Sequence, residues 1–340
     1  MPKTMSTNRI SHSVLSAHLA LISASVIWGI AGPVIKYTLA YIPPATFLFV
    51  RMLIVCVLVL PFLIIELKRT PINTKDYVNF FLLGLFSQTQ LIIVYLSYKY
   101  TTAIDIGIIG ISGTIITMYL GHYFYNERID RKVAVGASLA AIGTLAVILE
   151  PLVTGNRANV NPSFRIVGNL LAFISVVAWS FYLLWSKLSM GERSGLLKKT
   201  LSFVHIKPMT KVYSPTLIVY ITFFVGLATV LPFAVLEYFG FFGETNFYLG
   251  FIDPKGIAGI LYMALLSSVV AYLAIQWGLQ KAHVRDTAVY GYLSTLITFP
   301  AAYLLLGEVP SKIAILAMLI IFSGVAIAQY DSILYTNKDN

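Results

Sequence analysis

Apolar residues run through this chain in long blocks, and polar residues gather in the short gaps between them. Ten blocks stand out, at roughly 15–38, 44–65, 77–98, 103–125, 132–149, 166–187, 215–238, 256–279, 285–306 and 312–333. Each is close to the ~20 residues that cross the hydrocarbon of a bilayer as a helix. Blocks this long and this apolar have no polar face to turn to water, so each predicts a membrane-spanning helix. Together they fill most of the chain and leave no stretch for a folded soluble domain. The first block has no small-residue cleavage site and carries Trp28 and Lys36 well inside it, so it reads as an uncleaved helix and not a signal peptide.

Composition agrees. The chain is 58% hydrophobic and 11% charged, with a mean hydropathy of +0.82; soluble domains carry about 25% charged residues. The single cysteine, Cys56, lies in the second block, so no intrachain disulfide can form. A net charge of +10 raises the question of nucleic acid, but the cations are sorted by topology. With the N-terminus placed inside, 17 Lys and Arg fall in inner loops and tails and 6 fall outside, leaving Arg51 alone within a span. That bias predicts both termini in the cytoplasm and no nucleic-acid partner, and a plasma (inner) membrane is the default expectation. Monomer and homodimer both remain open.

The second half of the chain echoes the first. At an offset of 151, Trp28 and Lys36 meet Trp179 and Lys187; at 171, Pro44, Pro61 and Glu66 meet Pro215, Pro232 and Glu237. At 181, Ser87, Asp105, Gly110, Thr114, Thr117, Glu127 and Gly143 meet Ser268, Asp286, Gly291, Thr295, Thr298, Glu308 and Gly324. Each change of offset falls in an expected loop. Five spans per repeat is an odd number, so the second repeat enters the membrane from the opposite face. The fold class is therefore an all-α integral membrane protein of ten transmembrane helices in two inverted five-helix repeats, an arrangement that suits a transporter with two alternately open mouths. The expected organisation is a cytoplasmic N-terminal tail (1–14), a first repeat (15–150), a second repeat (166–333) with a basic cytoplasmic insert (188–213), and a C-terminal tail (334–340). The insert mixes Leu196, Leu197 and Leu201 with Lys198 and Lys199; a membrane-surface segment and a plain linker fit it equally.

On these residues the chain resembles the EamA-like branch of the drug/metabolite transporter superfamily. The likeness rests on Trp28 with Lys36, "FVRMLI" around Arg51, "YNERIDRK" and "LLGEVPS" closing spans four and nine, and Gly143 with Gly324. The resemblance implies that spans one, three, four, six, eight and nine wall a central cavity, that five and ten lie at the periphery, and that the cargo is a small metabolite, drug or nucleotide sugar.

Candidate cavity residues are polar or aromatic groups spaced along those spans. They are Trp28 and Lys36 in span one, Gln88 and Tyr95 in three, Tyr119 and His122 in four, and Trp179, Tyr182, Ser186 and Lys187 in six. Span eight adds Tyr272 and Gln276, and span nine adds Tyr290, Ser294 and Thr295. Rings supply apolar area and a few hydroxyls or amides fix orientation, which suits an amphipathic solute; interhelical hydrogen bonding is the competing reading for each residue. Lys36 and Lys187 read either as headgroup anchors or as equivalent charges at two mouths. Arg51 is either a snorkelling structural charge or an attractor of anionic substrate. Asp105 and Asp286 open spans and are expected to cap them. Glu127 and Glu308 end spans, where the dipole disfavours them, and are expected to reach the N-terminus of the following helix across a tight hairpin.

No acid sits at a span's midplane, which lowers the standing of a proton-coupled cation exporter. No catalytic motif, metal-ligand spacing or cofactor motif is present. The functional expectation is a secondary transporter of small organic metabolites, amino-acid-like solutes first, with export as the direction. A multidrug or cation exporter and a non-transporting lipid- or partner-binding protein are the alternatives.

Overall fold

The computed structural model describes residues 7–125, 131–155, 161–191, 209–241, 253–281 and 284–335, with side chains described over 16–125, 131–155, 161–191, 209–241, 253–280 and 292–327. Ten helical spans follow in order: α1 (Thr7–Thr38), α2 (Pro44–Arg69), α3 (Thr74–Tyr100), α4 (Ala103–Tyr125), α5 (Arg131–Thr154), α6 (Pro162–Ser189), α7 (Pro215–Tyr238), α8 (Pro254–Gln280), α9 (Val284–Leu306) and α10 (Lys312–Tyr335). The first eight are long and apolar enough to cross a membrane; the described apolar parts of the last two are shorter, Tyr292–Leu306 and Lys312–Ile327. Helix α1 begins at Thr7, inside the expected polar tail, because backbone hydrogen bonding can continue past the hydrocarbon edge. Its candidate membrane span starts at Ser16.

Local sequence explains the helix starts. Pro44, Pro162, Pro215 and Pro254 each occupy a first turn, where a missing N–H costs nothing. Asn161, Ser214 and Asp253 cap the last three of these through side-chain oxygens. Two spans are not regular helices. Helix α3 carries a π segment at Leu85–Thr89, and α8 carries one at Tyr262–Val270. At the offset of 181 the first segment maps onto residues 266–270, within the second. A π turn widens the helix, frees carbonyl oxygens and advances the phase of every residue beyond it.

Packing follows the repeat. Helix α1 packs on α9 and α8, and α6 packs on α4 and α3, the mates of those helices. Helices α2 and α7, α4 and α9, and α5 and α10 pair with their own mates. The α5–α10 contact is reciprocal at glycine: a Cβ on Gly143 would lie 2.5 Å from Ile321, and one on Gly324 would lie 2.5 Å from the Gly136 carbonyl oxygen. Large apolar residues such as Val57, Leu145, Leu304 and Leu316 point outward, as a lipid-facing surface requires.

Buried acids tie the repeats together. Glu237 at the end of α7 accepts from Ala45 N (3.1 Å) and Thr46 N (2.6 Å) at the start of α2. Its mate Glu66, near the end of α2, accepts from Ser214 Oγ (3.3 Å) at the start of α7. Residues 192–208 of the insert lie outside the described residues, and its last residues are pinned to the α3 start. Asp76 accepts there from Thr210 N (2.9 Å), Thr210 Oγ1 (2.6 Å) and the Tyr213 hydroxyl (2.5 Å). Burial, then the bond to Asp76, raises the Tyr213 pKa to about 12, so the hydroxyl remains a donor at neutral pH.

Candidate functional site

A central cavity of about 310 Å³ lies between the repeats. Its walls come from α1, α3, α4, α6, α8 and α9, with Arg51 reaching in from α2. Among the described residues none of the lining comes from α5, α7 or α10. Many wall residues are repeat mates that face each other across the pseudo-two-fold axis: Trp28 and Trp179, Leu91 and Tyr272, Thr114 and Thr295, Thr117 and Thr298.

One side of the cavity is an aromatic cluster. Trp28 meets Trp179 edge-on at 5.3 Å and Tyr272 at 5.4 Å; Trp179 and Tyr272 are 5.7 Å apart and perpendicular. Edge-to-face contact is the favoured arrangement for aromatic quadrupoles. The π segments hold these rings. Trp28 Nε1 donates to the Ser267 carbonyl in α8 (3.1 Å), and the Tyr272 hydroxyl donates to the Ser87 carbonyl in α3 (3.2 Å). A regular α-helix commits those oxygens to its own ladder.

Uncharged polar groups supply the rest of the lining. Ser25, Gln90, Thr114, Thr117, Ser175, Ser267, Ser294, Thr295 and Thr298 all touch the cavity. Thr298 Oγ1 donates to the Gly29 carbonyl (2.9 Å) and Thr295 Oγ1 to the Gly107 carbonyl (2.9 Å), so these hydroxyls also stitch α9 to α1 and α4. Among the described residues no Asp or Glu is in the wall. Arg51 is the one charged residue among the described lining: Nε donates to Ser268 Oγ (2.7 Å) and Nη1 to the Tyr95 hydroxyl (3.0 Å). Ser268 is held in place by donating to the Met263 carbonyl, the i−5 contact of the π segment (2.8 Å).

The structure sorts the expected residues by helix phase. Trp28, Trp179, Tyr272, Ser294, Thr295 and Arg51 line the cavity. Gln88 and Tyr95 do share a face, but it points to α2 and α7: Gln88 packs on Gly226, and Tyr95 stacks near Phe47 at 5.0 Å while accepting from Arg51. Gln90, Leu91, Val94 and Tyr98 are the cavity face of α3, because the π turn falls between its two halves. Tyr182, Ser186 and Gln276 form a buried network between α6 and α8, with Gln276 Nε2 donating to the Tyr182 hydroxyl (2.7 Å) and Ser186 Oγ (3.2 Å).

Tyr119 and His122 turn outward, away from the cavity. The cavity side of α4 is instead Ile106 with a stripe of small residues: Gly107, Gly110 and Gly113 three apart, and Thr114 and Thr117 three apart beside them. That spacing was readable in sequence as a close-approach face. The side chain of Tyr290 and residue Glu127 lie outside the described residues.

The lysines and acids gather at the helix ends. Lys36 pairs with Glu308 at 2.7 Å and donates to the Thr101 carbonyl (2.6 Å). Glu308 was expected to serve the following helix. Its Oε2 accepts instead from Ile104 N (3.2 Å) at the start of α4 in the other repeat, while Ser311 caps α10. Gly307, at φ 66°, turns the chain to make this reach. Gly307 N bonds the Tyr303 carbonyl, the αL ending of α9, and Glu308 N bonds the Ala302 carbonyl beyond it.

Asp105 likewise does not cap its own helix. It accepts from Arg165 (2.7 Å), which also serves Glu150 (2.9 Å), while Thr102 Oγ1 accepts from Asp105 N (3.0 Å). A second cavity, about 360 Å³, lies at this pole between Asp105, Glu150, Arg165 and the Gly307–Ser311 turn. Lys187 is buried at the far end of α6. No group of three or more His, Cys, Asp or Glu side chains able to hold a metal occurs among the described residues.

Known proteins resemble the chain in sequence and in fold. Residues 15–149 and 199–330 match the EamA-like transporter family. An uncharacterized transporter of Archaeoglobus fulgidus is 26% identical over 309 residues, spanning 91% of this chain and 95% of that protein. The uncharacterized transporter YetK of Bacillus subtilis is 27% identical over 263 residues, spanning 75% and 76% of the two chains. A solved crystal structure, 16% identical, overlaps 93% of this chain and 96% of its own with a TM-score of 0.57, which shows a shared fold.

Proposed function

Because the chain belongs to the EamA-like transporter family, we propose that it is a secondary transporter carrying amino-acid-like metabolites out of the cell by alternating access. The observation that carries this reading is the central cavity, whose facing walls come from equivalent positions of the two repeats. A site built on a pseudo-two-fold axis is presented equally to both sides when one repeat rocks against the other.

The rocking is resisted at one pole by the Lys36–Glu308 pair, which ties α1 to the α9–α10 turn and to the start of α4. Breaking that tie opens the Lys36 end, and Lys187 occupies the corresponding place at the opposite end. The sorting of basic residues puts the Lys36 end outside and both termini in the cytoplasm. Serine and threonine hydroxyls, Gln90 and three rings suit a solute that is part polar and part apolar. Among the described residues the lining holds no carboxylate to pair with a cationic drug.

The test is uptake and counterflow in proteoliposomes with a panel of radiolabelled metabolites. Protein-dependent flux of at least one amino-acid-like solute, lost when the cavity is filled by Gly110→Phe, is the expected result. A folded protein that moves nothing in the panel would sink the transporter reading.

A further inference from the structure

The cavity wall contains a buried cation with no anion. Arg51 is 1% exposed, so its head does not snorkel to a headgroup. Its two hydrogen-bond partners, Ser268 Oγ and the Tyr95 hydroxyl, are neutral. Among the described residues no carboxylate pairs with it; the ion pairs there are Lys36 with Glu308, and Arg165 with Asp105 and Glu150. The same chain therefore gives one buried arginine two carboxylates and gives the other none. A guanidinium has five N–H donors, and the protein takes up two of Arg51's. The remaining ones belong to a side chain that lines the cavity.

A second orphan lies in the same wall. Gln90 Oε1 is buried and accepts no hydrogen bond. A buried charge and a buried amide oxygen are each costly to leave unpaired. What fits both is a ligand carrying an anionic group for Arg51 and an N–H or O–H donor for Gln90. The rings of Trp28, Trp179 and Tyr272 require the remainder to be apolar, and about 310 Å³ limits it to a small solute.

We propose that Arg51 binds the carboxylate of the transported solute, and that the solute class is a small carboxylic acid with an aromatic or branched apolar body. This rests on the transporter reading and narrows it. The carboxylate is the recognised group, because the cavity offers a cation to it and, among the described residues, no carboxylate to an ammonium. Neutral and purely cationic analogues are excluded by the desolvated guanidinium they leave unpaired.

The experiment uses the purified full-length protein in detergent and a matched series: 3-phenylpropionate, L-phenylalanine, 3-phenylpropionamide and phenethylamine. Binding is read by thermal shift and by competition. The two carboxylates are expected to stabilise the protein, and the amide and amine to bind at least about tenfold more weakly, the loss of a charge-assisted bidentate contact. Arg51→Gln should abolish the preference for acid over amide, and Arg51→Lys should keep part of it. Equal responses to acid and amide in the unaltered protein, including no response to either, overturn the assignment without any variant. Retained acid preference in folded Arg51→Gln overturns it as well. Flux of neutral metabolites in proteoliposomes alongside equal acid and amide responses would leave the transporter reading standing and remove only the role of Arg51.

Discussion

Lys36 and Glu308 make one contact between three segments that are distant in sequence: α1, the α9–α10 turn and the start of α4. Both groups are largely buried, so neither is fully solvated when its partner is removed. Lys36→Gln and Glu308→Gln are each expected to lower the apparent Tm in detergent. The double variant should lower it no further than the worse single one, for a coupling of about 0.5–3 kcal/mol. Additive losses would show that the two side chains act separately. In vesicles, Lys36→Gln should raise labelling of a cysteine placed at Gly110, which faces the cavity with open space beside it, by an impermeant reagent added on the Lys36 side, and Lys187→Gln should not. If both lysine variants leave side-specific access and transport unchanged, the lysines are anchors only. None of these partners was legible from local sequence: acids at helix ends look like local caps, and here they serve helices in the other repeat.

The π segments in α3 and α8 decide which stripe of each helix faces the solute. A window of constant 3.6-residue periodicity groups Gln88 with Tyr95, and the widened turn puts Gln90 and Val94 into the cavity instead. Hydropathy does not register a π turn, because the change is in hydrogen-bond geometry and not in composition. Glycines separate packing from function at the same scale. Gly143→Ala pushes a Cβ to 2.8 Å from the Ala317 carbonyl oxygen as well as against Ile321. Backbone cannot yield cheaply, so a loss of about 1–3 kcal/mol is expected, read as a lower Tm with transport per folded molecule retained. Gly110 faces the cavity with nothing within 4 Å of a Cβ. Gly110→Ala should leave Tm unchanged, and Gly110→Phe should block transport without lowering Tm. A fall in Tm for Gly110→Ala would mean that the cavity is narrower there than this structure has it.

For the whole molecule, an inverted repeat of five spans fixes the expectation that the termini share one side. Tags at the two ends should be cut together, by protease added to inside-out vesicles and not to right-side-out ones. Opposite accessibility would contradict the ten-span topology. The sequence by itself determined the spans, the repeat and the membrane class, because burying apolar surface in a bilayer is a property of composition and length alone. It also marked Trp28, Trp179, Tyr272, Ser294, Thr295 and Arg51 as noteworthy residues. Only the tertiary structure decided that these meet around one cavity, that Gln88, Tyr95 and Gln276 belong to networks behind it, and that no acid among the described residues pairs with Arg51. The reason is physical: what a buried polar group does is set by which neighbour satisfies it, and in this fold those neighbours stand tens to hundreds of residues away.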